Sequence, residues 1–210
     1  MNTNADPGAS HGIELFATCP KGVEDLLAAE CQQQGLSGVS HGRGGVYCQG
    51  ALEHAYRLCL WSRVASRVLL KLCTFPAHEY DDLYQGVQTV DWRFHLNEDG
   101  SFVVDAHSAH SVISNSHFAR LKIKDAIVDQ FRQDGAQRPD VKRERPDIRI
   151  NAYIDGSSCT LYLDLSGEPL HIRGYRQQAG AAPLKENLAA AILLRAHWPE
   201  LATQGRPLID

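Results

Sequence analysis

Residues 148–165 read IRINAYIDGSSCTLYLDL, and the pattern of this stretch decides the fold class. Ile148, Ile150, Ala152 and Ile154 alternate with Arg149, Asn151 and Tyr153; Asp155-Gly156-Ser157 then supplies a turn, and Cys159, Leu161, Leu163 and Leu165 resume the alternation. A period of two interrupted by a glycine-containing turn predicts a β-hairpin with one face in a core. The other face is predicted to show Arg149, Asn151 and Tyr153 across from Thr160, Tyr162 and Asp164.

Upstream of the hairpin the period changes. A helix is predicted from about His117 to Gln133, with Asn115 or Ser116 as its N-cap and Gly135 as its stop. Phe118, Leu121, Ile127, Val128 and Phe131 can face a core, while Arg120, Lys122 and Lys124 are spread around the first two turns. A proline-bounded, charged connector runs from Arg138 to Pro146. Earlier still, strands are predicted at Ile13–Cys19, Val39–His41, Val46–Gln49, Arg67–Phe75 and Phe102–Ala106. Helices are predicted around Val23–Cys31, Leu52–Leu60 and Glu79–Val90. Asp81 and Asp82 fall where carboxylates favour a helix start rather than catalysis. Gly42-Arg43-Gly44-Gly45 joins two strands and lacks the Lys-Ser/Thr of a phosphate-binding loop, so it reads as a tight turn. This order predicts an α+β architecture with mostly antiparallel sheets.

Downstream, residues 171–195 carry a turn-rich basic segment with Arg173, Gly174, Arg176 and Gly180, then Pro183 and a helical pattern of Leu184, Leu188, Ala191, Ile192 and Arg195. Leu188, Ile192 and Leu193 are predicted to be partly uncovered. Pro207-Leu208-Ile209-Asp210 has the form of a first strand of a nucleotide-binding α/β domain. Residues 1–12 read as a loose tail.

Composition narrows the function classes. The chain has 210 residues, 43% hydrophobic and 22% charged, with no run long enough for a membrane helix and no N-terminal apolar block, which predicts a cytoplasmic protein. Six cysteines never form C-x-x-C and sit among apolar neighbours, so reduced core thiols are expected. A net charge of −4 argues against binding nucleic acid by bulk electrostatics. Residues 117–149 nevertheless hold 9 basic and 6 acidic side chains, and any phosphate-binding surface belongs there. Two readings of Arg120, Lys122 and Lys124 stand side by side: a phosphate-binding helix start, or a solvated face with Lys124–Asp129 and Lys122–Asp125 pairs. His107, His110 and His117 form the nearest histidine cluster, but their spacing matches no tetrahedral metal site, so no metal is expected. No cysteine stands at a helix start beside a positive charge, and no catalytic residue is assigned.

Several blocks carry a resemblance: Lys21-Gly22-Val23-Glu24-Asp25-Leu26-Leu27, Trp61-Ser62-Arg63-Val64-Ala65-Ser66-Arg67, Lys122-Ile123-Lys124-Asp125-Ala126, Arg173-Gly174-Tyr175-Arg176 and, most specific, Ala182-Pro183-Leu184-Lys185-Glu186-Asn187-Leu188. They resemble the N-terminal part of the bacterial 23S ribosomal RNA guanine-N2 methyltransferases that carry a THUMP domain. The resemblance implies a tail at 1–12, a ferredoxin-like segment at 13–53, a THUMP RNA-binding domain at 54–165, a linker at 166–182 and, at 183–210, the opening helix and strand of a Rossmann-like methyltransferase. In that family the Gly-rich cofactor loop and an Asn-Pro-Pro-Tyr-like motif follow later, so this chain is expected to hold no cofactor and not to methylate alone. The complete enzyme would use S-adenosylmethionine, with Lys185, Glu186 and Asn187 as cofactor neighbours. The implied partners are 23S rRNA and a covalently continuing methyltransferase domain. Arg120, Lys122, Lys124 and Arg149 are the candidate RNA contacts, and Arg173 and Arg176 are weaker ones. A freestanding RNA-binding or assembly module is the alternative, and a small histidine-dependent hydrolase is a distant third.

Overall fold

The computed structural model describes residues 12–133, 135, 137–176, 178 and 182–208. They divide into two compact units, one made of the chain up to Val68 together with the part from Glu168 onward, the other of Leu69–Gly167. The expected tail, apart from Gly12, lies outside the described residues, as do Gly180, Ile209 and Asp210.

The first unit begins with β1 (Ile13–Thr18), α1 (Glu24–Gln33), β2 (Ser37–Gly42), β3 (Gly45–Gly50) and α2 (Leu52–Trp61). The three strands are antiparallel in the order β2-β3-β1, and α1 lies against β2 and β3, burying Leu27, Ala28 and Cys31. Gly35 ends α1 at a positive φ of 85°, which lets the Leu36 amide turn back to the Cys31 carbonyl at 3.1 Å. The glycine turn between β2 and β3 is held by a carboxylate. Glu24 accepts from the Gly22 amide at 2.7 Å and the Gly44 amide at 3.2 Å, and its own backbone amide first, then these two, hold its pKa below the usual value. A loop whose amide already serves a carboxylate is a structural turn. Gly45 is required there, since a Cβ would collide with the Ala17 carbonyl.

The second unit contains β4 (Arg67–Pro76), which enters from the first, then α3 (Tyr80–Gln88), β5 (Ser101–Ala109), α4 (Ser116–Gln133), β6 (Asp140–Val141), β7 (Ile148–Asp155) and β8 (Ser158–Asp164). Its strands run β4-β8-β7-β5-β6. The expected hairpin is β7–β8, closed from Asp155↔Ser158 outward, and Ile150, Ala152, Ile154, Cys159 and Leu161 enter the core. There they meet Leu83, Trp92, Phe102, Ile123, Ile127 and Phe131. Each fully buried side chain of this size contributes about 1.5–3 kcal/mol of transfer free energy.

Two expectations need correction. Phe118 and Leu121 do not face the core; Ala119, Ile123, Ala126, Ile127, Val128 and Phe131 do, and Phe118 instead packs edge-on against Tyr80 with ring centroids 4.7 Å apart. The outer face of the hairpin is only partly open, because Tyr162 and Asp164 are buried. The strand pairing is mostly antiparallel, as expected, but β5 runs parallel to both β7 and β6. Parallel neighbours need a crossover, and α4 is that crossover between β5 and β7.

The chain then completes the first unit with α5 (Glu186–Arg195) and the short, unforeseen α6 (Trp198–Thr203). Asn187 and Ala191 are buried, Leu188 and Leu193 are half-buried, and Ile192 is exposed. Pro207 and Leu208 carry no regular secondary structure.

Candidate nucleic-acid interface

The start of α4 is capped as its sequence suggests: Asn115 Oδ1 accepts from the Phe118 amide at 3.1 Å, and the Asn115 carbonyl accepts from the Ala119 amide at 3.0 Å. This cap fixes which side chains share a face. Arg120, Leu121 and Lys124 fall with His117 on one stripe at three- and four-residue spacing, and all four line a cleft of about 400 Å³. Across it stand Arg143, from the charged connector, and Arg149 and Asp105, from β7 and β5.

Four cations and one carboxylate therefore line this cleft, in a chain whose net charge is −4. Arg149 donates to Asp105 through Nη1 at 2.7 Å, while its buried Nε has no partner. Arg120 Nη2 lies 3.3 Å from His117 Nδ1, and Lys124 Nζ, itself half-buried, lies 2.9 Å from the exposed Asp125. Lys122 stands elsewhere. Two residues beyond Arg120 it is turned about 200° round the helix, and it donates to Asp81 of α3 at 2.8 Å. Neither sequence-based pair forms: Lys124 takes Asp125 rather than Asp129, and Lys122 takes Asp81 rather than Asp125.

The other candidates lie in the first unit. The Arg173 guanidinium donates to the carbonyls of Cys59 (3.0 Å), Leu60 (3.2 Å) and Ser62 (2.8 Å), satisfying acceptors left open at the end of α2. Arg176 donates to the Leu184 carbonyl at 2.9 Å and pairs with Glu186 at 3.3 Å. Lys185 is exposed at the N-cap of α5. Asn187 is buried, and its Nδ2 donates to Ser66 Oγ at 2.9 Å and to the Val64 carbonyl at 3.4 Å. Beneath these contacts Glu30 accepts from Ser62 Oγ (2.5 Å) and from the amides of Arg63 (3.2 Å) and Val64 (3.3 Å), fixing the Trp61–Ala65 turn.

The histidines turn to separate partners: His110 to Asp155 at 3.1 Å, and His117 to Arg120. Among the described residues no group of three or more His, Cys, Asp or Glu is placed to hold a metal ion. None of the six cysteines forms a disulfide, and burial pushes the Cys19 and Cys159 thiols up to about 12, which leaves them un-ionised and unsuited as nucleophiles. Among the described residues no helix is long and apolar enough to cross a membrane.

The sequence reading missed Arg143. Its neighbourhood is a proline-bounded connector with no periodicity, so only the brief pairing of β6 with β5 brings it to the cleft.

Residues 14–69 match the RlmL ferredoxin-like domain, and residues 77–164 match the THUMP domain. A ribosomal RNA large subunit methyltransferase K/L from Syntrophotalea carbinolica is 54% identical over 198 residues, covering 94% of this chain and 28% of its own length. The chain thus spans less than a third of the length of such relatives. The structure of SMU.472, assigned as a methyltransferase and complexed with SAH, is 30% identical with a TM-score of 0.78, covering 90% of this chain and 50% of that one. TrmN from Thermus thermophilus is 25% identical with a TM-score of 0.66, covering 88% and 55%. The chain carries the RlmL ferredoxin-like domain and a THUMP domain, and over 94% of its length it is similar to a ribosomal RNA large subunit methyltransferase K/L.

Proposed function

We propose that this chain is the RNA-recognition part of an S-adenosylmethionine-dependent 23S rRNA guanine-N2 methyltransferase, acting in the cytoplasm, and that the α4 cleft holds RNA phosphates. The observation that carries the reading is the gathering of Arg120, Lys124, Arg143 and Arg149 around one cleft of the THUMP domain in an otherwise acidic chain. Guanidinium and ammonium groups converging on a concave surface suit phosphate, and recognition by RNA shape and backbone supplies selectivity that a pocket for one base lacks. Lys122 drops to a second-line contact and Arg173 and Arg176 stay so, because each is already held by a carboxylate or by backbone carbonyls.

Residues 183–210 are assigned to the opening of the methyltransferase domain, and the boundary between the ferredoxin-like and THUMP domains, expected between residues 53 and 54, is drawn instead between residues 69 and 77, where the one match ends and the other begins. When bound, S-adenosylmethionine supplies the methyl group. Toward it this chain offers exposed Lys185, with Glu186 and Asn187 fixing the start of α5 through Arg176, Val64 and Ser66. Titrating labelled 23S rRNA fragments at two salt concentrations tests the reading. Binding that weakens with salt is expected, and a folded chain with undetectable binding would overturn it.

A further inference from the structure

The α4 cleft has a second wall that the cations do not explain. Val103, Val104 and Asp105 line it in succession, although the side chains of a strand alternate between its two faces. What three consecutive residues share is the edge of the strand, so the cleft runs along the edge of β5 that faces away from β7.

That edge is unpaired from Val104 onward. The Gly100 and Phe102 carbonyls accept from the Asp140 and Lys142 amides at 3.0 and 3.1 Å, whereas the intervening Ser101 carbonyl accepts from the Asp147 amide, which leads into β7, at 3.0 Å. Main-chain groups of alternate residues therefore point to opposite sides, and those of Val104 point with those of Phe102, away from β7. The pairing of β5 with β6 ends at Phe102↔Val141. Among the described residues no strand, loop amide or side chain then meets the Val104 N–H or C=O on that side. An open strand edge is a row of donors and acceptors for whatever lies beside it.

The rest of the lining fits a nucleotide. Arg120 and Lys124 on α4 carry charge for a phosphate, and Leu121 and Val141, 37% and 45% exposed, offer apolar surface to a base. At about 400 Å³ the cleft lies at the small end for a ligand site and is too small to take in a paired helix. A base that is not paired presents a donor beside an acceptor on its Watson–Crick edge, the complement of one residue's N–H and C=O on a free strand edge. We propose that the α4 cleft takes an unpaired nucleotide, its phosphate on Arg120 and Lys124 and the Watson–Crick edge of its base on the Val104 N–H and C=O. The proposal rests on the RNA-binding reading and deepens it: the cleft tells unpaired from paired RNA, because a paired base has no such edge to offer. An added peptide strand is the other occupant that such an edge accepts, and the four cations of the lining favour RNA over it.

The experiment uses the full chain and two RNA hexamers, A6 and a hexamer of purine riboside, which keeps adenine's ring and its N1 acceptor but lacks the amine that would donate to the Val104 carbonyl. A mixed-sequence RNA strand, alone and annealed to its complement, supplies the second comparison. The expected result is at least about fivefold tighter binding of A6 than of the purine riboside hexamer, and of the single strand than of the duplex. Amide hydrogen exchange followed by NMR reads the contact itself, and the Val104 amide is expected to slow when A6 binds. Equal binding of the two hexamers, equal binding of single strand and duplex, or an unchanged Val104 amide with A6 bound would each overturn the base contact while leaving the cleft's phosphate binding intact. Binding of none of these RNAs would overturn the RNA-binding reading as well. A hexaglutamate peptide that binds more tightly than A6 and protects the Val104, Ala106 and Ser108 amides together would assign the edge to an added strand and overturn its assignment to a base.

Discussion

Removing two cations from the α4 cleft, by the double substitution Arg120→Ala with Lys124→Ala, has a consequence that can be worked out in advance. The charged lining of the cleft is Arg120, Lys124, Arg143, Arg149 and Asp105, and with Arg149 neutralised by Asp105 at 2.7 Å three positive charges are left for phosphate, of which Lys124 has to give up only the exposed carboxylate of Asp125. If each meets one phosphate of single-stranded RNA, the logarithm of affinity falls with that of salt concentration with a slope of about −2. A rise from 50 to 200 mM salt then weakens binding by about 20-fold. The double variant retains about one such charge, so its slope drops to about −0.7 and the same change weakens binding only about 2.5-fold. Fluorescence anisotropy of a labelled 23S rRNA oligonucleotide across a salt series measures both slopes. Lys122→Ala serves as the matched control, since that lysine faces Asp81 and should leave the slope within error of the parent. Parallel salt plots for parent and double variant, with both proteins folded, would refute the placement of phosphate in this cleft.

Three further outcomes follow from the packing. Glu30→Ala strands the Ser62 hydroxyl and the Arg63 and Val64 amides, and should destabilise the chain by about 3–5 kcal/mol in a denaturant titration; a loss below about 1 kcal/mol would mean that these donors find water. Gly86→Ala directs a methyl into the Phe75 ring where α3 meets β4, and should cost about 1–3 kcal/mol by overpacking, whereas an unchanged melting temperature would show that the ring can swing aside. The Asp25 carboxylate is held below its usual pKa chiefly by the hydrogen bond from Arg195, with both guanidinium nitrogens at 2.6 Å. A depressed folded-state pKa contributes stability that is present above the unfolded value of about 3.9 and lost as pH falls through the folded value. Arg195→Ala should therefore move the Asp25 carboxyl titration, followed by NMR, upward toward the ordinary range, and an unmoved titration would show that the pair does not form in solution.

Local chemistry made much of the fold legible. The alternation in 148–165, Gly35 after α1, the glycines between β2 and β3, and Asn115 before α4 each act over a few residues, and each does in the structure what its residue type allows. What stayed hidden depends on partners distant in sequence. The direction of β5 is set by the α4 crossover and not by any property of Ser101–Ala109 itself. The burial of Tyr162 and Asp164 contradicts their polarity and their place on the alternating outer face, because burial is decided by what covers a face. Asn187 interrupts an apolar helical pattern in a way that the sequence leaves open to a ligand role, and only the Val64 carbonyl and Ser66 hydroxyl, more than a hundred residues earlier, give its amide a structural place. The α6 helix follows His197 at a positive φ of 52°, a conformation that histidine's residue type does not announce.

The same distinction governs the charges. A count of lysines and arginines along the chain treats Arg120, Lys122, Lys124, Arg149, Arg173, Arg176 and Arg195 as equivalent, yet the structure spends them differently. Arg173 completes the carbonyl end of α2, Arg176 secures the entrance to α5, Arg195 ties α5 to Asp25, and Lys122 ties α4 to Asp81. Each of these would give up a hydrogen-bonded partner to meet a phosphate, which offsets much of what the new contact contributes. Lys124, paired only with the adjacent exposed Asp125, and Arg143, which makes no ion pair among the described residues, give up little. On the proposed reading the RNA footprint of an acidic chain is narrow, and its affinity comes first from Lys124 and Arg143, which give up little and share one cleft with Arg120 and Arg149.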